Sequence, residues 1–368
     1  MDVKLTNVKL EDVPGPAQGA GPAEARDLIA QVAADLYGRP LAELLPLVAQ
    51  ELTFDLEGAP ETFGNCFRCA LIADLEGYYL TTDEGALASD ALSFCKPDYI
   101  TQRLRLVPLR RGHPKPSSLR FRLEVGNETD KTKTVYSGDL ELTAGELTQP
   151  LFNNTIGLLD LQPGEKVVVE DITLARGRGK LNAAAAYAVR GFSRPHREKL
   201  PHADVYGQPD GAGQRSGFAT SSLTTPARGV TVGATFAAAL PGSREGLRAP
   251  YEVATNLAGR LRTIKQVLNS DDSRAGSSWQ VTENGGVAKG LLRLDEGVAL
   301  VRMLAHEIAT GVPDLQFVGV RRPDHGAGLT LQIHHAVAAD ELHKLATDAA
   351  DRLIKNLESV AAQARKFF

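Results

Sequence analysis

The chain has 368 residues, 43% apolar and 23% charged, which is enough for two or three domains and a core that does not depend on disulfides or a structural metal. A net charge of −4 and a pI near 6.1 exclude wholesale coating of nucleic acid, which needs a clustered excess of Lys and Arg. Three cysteines (Cys66, Cys69 and Cys95) exclude a disulfide framework and suit a reducing compartment.

The N-terminal stretch has no basic region leading into an apolar one, so no secretory signal is expected, and no apolar run reaches the roughly 18 residues of a membrane helix. Ala23 to Glu51 reads as helix, turn, helix, with Leu28, Ile29, Val32 and Leu36 at helical spacing and a break at Gly38 and Pro40. "LTFDLEG" from Leu52 alternates like a strand. "ETFGNCFRCALIADLEG" is an amphipathic helix stopping near Gly77, and "DYITQRLRLVPL" is a helix turning into a strand. Period-two patterning then runs from Ser118 to Leu174, with Pro163-Gly164 as the turn before the last strand. His196 to Gly229 is a Pro/Gly-rich excursion. "GVTVGATFAAAL" follows as a strand and "YEVATNLAGRLRTIKQVLNS" as a helix, closed by the polar cluster Ser270 to Ser278, a linker. Beyond it the order is two strands, a helix (Val298 to Thr310), two strands and a terminal helix (Ala339 to Lys366). Both regions thus carry strand, amphipathic helix, further strands and a long closing helix, as two related halves of a pseudo-dimer would.

Several motifs in this order resemble the α-like assembly subunits of multisubunit DNA-directed RNA polymerases, and more closely the single-chain fusion of the third- and eleventh-largest subunits found in large DNA viruses of eukaryotes. "GNCFRCALIADLEG" is similar to the family's Asn-x-x-Arg-Arg helix, placing Asn65 and Arg68 on its first two motif positions, with Cys69 where the second arginine stands. "DYITQRLRLVPL" resembles Asp-Glu-Phe-Ile-Ala-His-Arg-Leu-x-Leu-Ile-Pro-Leu, placing Asp98 and Arg103. "KTVYSGDL" and "LQPGEKVVVEDITLARGRGKLNAAAAYAV" are similar to the second subdomain and the return from it; "VPDLQFVGVRRPDHGAGLTLQIHHAV" resembles the smaller partner. "GVALVR" stands where that partner reads His-Thr-Leu-Gly-Asn. The cysteine cluster of some cellular relatives has no counterpart between Arg110 and Lys180.

The resemblance implies an α+β fold: an RNA polymerase α-type dimerisation fold as a fused pseudo-heterodimer with an inserted mostly β subdomain. Residues 1–95 and 175–269 would form the larger-subunit-like domain, 96–174 the insert, 270–278 the linker and 279–368 the smaller-partner-like domain. It also implies a non-catalytic role, in which the two halves pair and bind the largest, second-largest and small polymerase subunits. No cofactor is expected in this chain, the magnesium lying in the large subunits. Neither membrane nor extensive nucleic-acid contact is expected, and the location is virion and host cytoplasm or nucleus.

The residues themselves support a docking site better than a reactive one. "ARGRGKL" reads as a basic, glycine-spaced loop, either a solvated basic turn or, as favoured, a docking loop in which Arg176, Arg178 and Lys180 supply charge-assisted donors while Gly177 and Gly179 let the backbone approach a partner closely. In the family the matching segment faces the second-largest subunit. It is no phosphate cradle, because Leu181 replaces the hydroxyl residue of a P-loop and the glycine spacing differs. Cys66 and Cys69 share a helix face but fall short of about four metal ligands even with Cys95. His334 and His335 point to opposite faces of a strand, and "HEIAT" at His306 lacks the second histidine of a zinc hydrolase. No Gly-x-Ser-x-Gly elbow occurs. Two rival readings are a free-standing adaptor using the same fold and an enzyme with an unrecognised site.

Overall fold

The computed structural model describes residues 3–13, 48–82, 97–111, 116–186, 188–196, 229–269, 277–284, 286–312, 315–322 and 328–368. Cys95, most of the linker (270–276), most of the excursion (197–228) and residues 23–47 of the first predicted helices lie outside them.

A first sheet is built from β1 (Lys4–Val13), β2 (Val48–Glu57), β9 (Arg190–Pro195) and β10 (Gly229–Ala239), in the order β1-β2-β10-β9. A second uses β11 (Ser278–Asn284), β12 (Val287–Leu294), β13 (Phe317–Arg321) and β14 (Leu329–His335), in the order β11-β12-β14-β13. Both sheets are antiparallel throughout, and in both the strands of the half are arranged first, second, fourth, third. In each half a helix follows the second strand: α1 (Glu61–Cys69) after β2 and α4 (Val298–Gly311) after β12. A long helix follows the fourth strand, α3 (Ala249–Asn269) after β10 and α5 (Ala339–Ala364) after β14. The faint echo in the sequence is therefore a full repeat of topology.

One hydrophobic core draws on both halves. Leu52, Phe54, Phe63, Phe67 and Leu257 of the first half and Leu292, Leu304, Leu331 and Leu353 of the second belong to the same buried cluster. The apolar stripe of α3 packs against that of α5, and α1 packs against α4. Burial of apolar area drives this assembly at about 25 cal/mol per Å². The ion pairs on its rim, Lys265 with Asp351 (2.7 Å) and Arg262 with Glu358, are exposed and contribute little.

A separate core lies under a third sheet, β3-β8-β4-β6, formed by β3 (Glu76–Thr81), β4 (Arg120–Gly126), β6 (Leu140–Ala144) and β8 (Lys166–Arg178). The pair β5 (Lys133–Tyr136) and β7 (Gly157–Leu161) and helix α2 (Pro97–Leu104) complete it. Its buried members run from Leu80 to Leu174 and include Ile100, Phe121 and Val169. The Pro163-Gly164 turn before β8 is present, Gly164 taking φ 80°, a conformation glycine adopts without a Cβ penalty.

Three expectations are corrected. Val48–Glu51 do not end a helix; they open β2, because backbone pairing to both β1 and β10 decides their conformation over local periodicity. The stretch after α2 does not become a strand, since Pro108 has no N–H to give a ladder, and Val107 is buried from a turn. Arg176 and Arg178 lie in no loop: β8 runs on to Arg178, paired to β3 as far as Glu76.

Helix α1 begins after Pro60, with Glu61 in its first turn and Arg68 in its last, both favourable to the helix dipole. It lies so close on β10 that a Cβ at Gly64 would sit 2.3 Å from Val230 Cγ1. Overpacking of about 1–3 kcal/mol should exceed the helix-propensity gain of about 0.5–1 kcal/mol. Gly64→Ala is thus expected to lower stability, by an amount readable from the urea midpoint.

Candidate functional site

Beyond its last hydrogen-bonded turn, α1 continues as a π-helix, Ala70–Asp74, closed by Leu75 N donating to Ala70 O (3.2 Å). Single π turns gather at functional places because they swing side chains out of helical register. The carbonyls of this one hold the segment that follows β8. Ala188 N donates to Leu71 O (2.9 Å), and Lys180 N to Ala73 O (3.2 Å). At Gly179 the approach is closest: a Cβ there would lie 2.1 Å from Ile72 O, which only glycine tolerates.

The end of β8 presents the basic residues against this support. Arg176 donates from Nε to Tyr78 Oη (3.0 Å), and its guanidinium lies 5.6 Å from the Tyr78 ring centre. Tyr78 holds its pKa above the ordinary arginine value, chiefly through that hydrogen bond. Arg178 stands 3.6 Å from Glu76, and Lys180 is exposed on the turn beyond, next to Leu181, 81% exposed. The three cations predicted from the sequence are therefore brought together, two on a strand end and one on a turn.

On α1, Arg68 Nε donates to Asn65 Oδ1 (3.0 Å), and its Nη2 reaches Cys69 Sγ (3.1 Å), so the pair is a pre-oriented unit on the same helix that carries the π turn. Cys66 is buried in the shared core, and burial drives its thiol pKa far up. Asp98 and Arg103 are elsewhere. They line a cleft of 870 Å³ on the second core with Tyr99, Gln102 and Asp160, and Arg103 donates to Gly157 O (2.5 Å), pinning α2 to β7. His334 meets Gln332 and the Phe317 ring on one face of β14, and His335 is buried on the other. Among the described residues no group of three or more His, Cys, Asp or Glu is set to hold a metal ion, and no helix is long and apolar enough to cross a membrane.

Sequence reasoning missed the cluster behind the π turn. Asp74 accepts from Arg260 Nη1 (2.7 Å), and Arg260 Nε donates to Glu296 Oε2 (2.9 Å), joining α1, α3 and the segment leading into α4. All three side chains are largely buried. Burial opposes the Arg260 charge, but Glu296 and Asp74 more than offset it and raise its pKa. The second half repeats half of the arrangement: Arg352 of α5 donates from Nε to Glu307 of α4 (2.6 Å). In each half, then, an arginine of the long helix meets an acid that closes or follows the short one.

Two α+β halves of one topology around a common core, with a basic strand end braced on the first half's short helix, fit the resemblance to polymerase α-like assembly subunits. The particular likeness is to viral single-chain forms. The chain is 26% identical over 327 residues, 86% of its length and 88% of the relative's, to the DNA-directed RNA polymerase RPB3-11 homolog of African swine fever virus (isolate Tick/South Africa/Pretoriuskop Pr4/1996). The protein of the same name from isolate Tick/Malawi/Lil 20-1/1983 is 25% identical over 329 residues, 87% of this chain and 89% of that one. No family model matches the chain.

Proposed function

We propose that this chain is a non-catalytic assembly subunit of a DNA-directed RNA polymerase in a large DNA virus. The observation that carries the reading is similarity, along 86% of the chain, to viral proteins named as RPB3-11 homologs. Its two halves act as a covalently joined heterodimer, with the β-rich unit around the second core inserted in the first half. The repeated strand order and the single core supplied by both halves support this. The paired halves nucleate the complex by binding the two large subunits, which hold the magnesium and transfer the nucleotidyl group. This chain adds surface, no reacting group and no metal of its own, and it works in the virion and in the host cytoplasm or nucleus.

Within that role Arg176, Arg178 and Lys180 dock the second-largest subunit, with Asn65 and Arg68 contributing from the helix whose π turn holds Lys180 N, and Asp98 and Arg103 forming a second contact region. The test is recovery of large subunits on the tagged chain and on the Arg176→Glu/Arg178→Glu/Lys180→Glu variant. Exposed charges usually change stability by within about half a kcal/mol, whereas like charge against an acidic partner costs several kcal/mol. The parent should bring down both large subunits, and the variant should lose the second-largest while keeping its fold. A parent recovered without large subunits is the free-standing adaptor, and the reading falls.

A further inference from the structure

Between the two cores, beside the basic turn, lies a cleft of 430 Å³. Its walls come from the end of β10 (Phe236 to Ala239), from the segment after α2, from the basic turn (Gly179), from the short 3-10 segment beyond it (Ala183) and from the residue after that segment (Ala186). Two large apolar side chains on its lining stay open to solvent, Leu106 at 50% and Val189 at 55%. Gln50, 2% exposed, also lines it: Nε2 donates to Asp12 and to Ser243 O, while Oε1 has no partner among the described residues. Among the described residues its lining carries one cation and one acid. Arg111 lines the cleft and donates to Glu76 O (2.8 Å), which places it against the strand pair carrying Arg176 and Arg178. The acid in the lining, Glu245, is already bound to Arg110 (2.5 Å).

We propose that this cleft is the apolar socket of the docking surface, taking an aliphatic or aromatic side chain from an acidic segment of the second-largest polymerase subunit; this rests on the docking role proposed above. Two features point to that occupant. The socket shares a wall with the basic turn, so a segment whose carboxylates meet Arg176, Arg178 and Lys180 passes its mouth. Exposed apolar side chains around a pocket beside the basic turn form the anchor-and-rim pattern in which a few buried contacts dominate affinity. A donor at the tip of the incoming group would also satisfy Gln50 Oε1.

The test is binding of the full-length chain to the purified second-largest subunit at several salt concentrations, comparing the parent, the charge-reversed triple variant and a neutral rim variant, Leu106→Ser/Val189→Ser. The rim variant alters exposed positions, so its thermal unfolding should match the parent's. It is expected to bind at least about tenfold more weakly with the same salt dependence, while the triple variant loses affinity and flattens the salt dependence. Parent-like binding by the rim variant alongside a weakened triple variant overturns the socket and leaves the docking role standing. Parent-like binding by both overturns the docking role as well. A photo-crosslinker at position 106 that captures the same chain, both free and in the complex, also overturns the proposal, because the socket is then filled from within.

Discussion

Arg260→Ala should be among the most damaging single substitutions in the chain, lowering unfolding stability by about 3–5 kcal/mol, as removal of one member of a buried ion cluster does when its partners stay behind. Asp74 and Glu296 would remain side by side, largely buried and without their shared counter-charge. The loss would be read from Trp279, the chain's single tryptophan, which packs against the core shared by the halves. Arg352→Ala provides the comparison. Its side chain is 41% exposed and meets one acid, so a loss of about 1 kcal/mol or less is expected. Equal losses at the two positions would mean that the cluster behind the π turn has no special place in joining the halves.

This cluster also shows where legibility in the sequence ended. The elements bounding it were plain: the apolar spacing of α1, α3, α4 and α5 reflects faces that pack on one another, and the alternation of β2, β10, β12 and β14 reflects sheets with one buried side. What periodicity could not supply was the pairing of Arg260 with acids 186 and 36 residues away, because nothing local distinguishes a buried charge from a solvated one. A polar residue between Leu257 and Leu261, both fully buried, was the available hint. Strand β9 was missed for a related reason. "RGFSRP" has little β-branched content and is an edge strand held by its ladder with β10. The conformation of the basic segment was misread, since glycines that suggest a loop here serve close approach. At Gly177 a Cβ would meet the Tyr79 ring at 2.7 Å, so the spacing encodes tight packing of β8 on β3.

Cutting the chain between Asp272 and Gly276 after folding should leave both fragments together on size exclusion at micromolar concentration. The cut falls outside the described residues, between α3 and β11, and removes no member of the shared core. If the halves are joined equivalents of separate subunits, their interface must already have the strength of an obligate heterodimer, typically above about 2,000 Å². The tether then supplies only an effective concentration on the order of millimolar, which fixes one-to-one pairing without new contacts. That separates two measurements on a weakened interface. Leu257→Asp places a charge where the side chain is fully buried in the common core. A buried unpaired charge costs several kcal/mol, enough to raise the dissociation constant of the pair by three powers of ten or more. While the tether is intact, the millimolar effective concentration should still hold most molecules paired; after cleavage at micromolar concentration the fragments should part. Parting of the unmutated fragments would show consecutive domains that merely touch. Co-migration of both pairs would place Leu257 away from the surface that joins them.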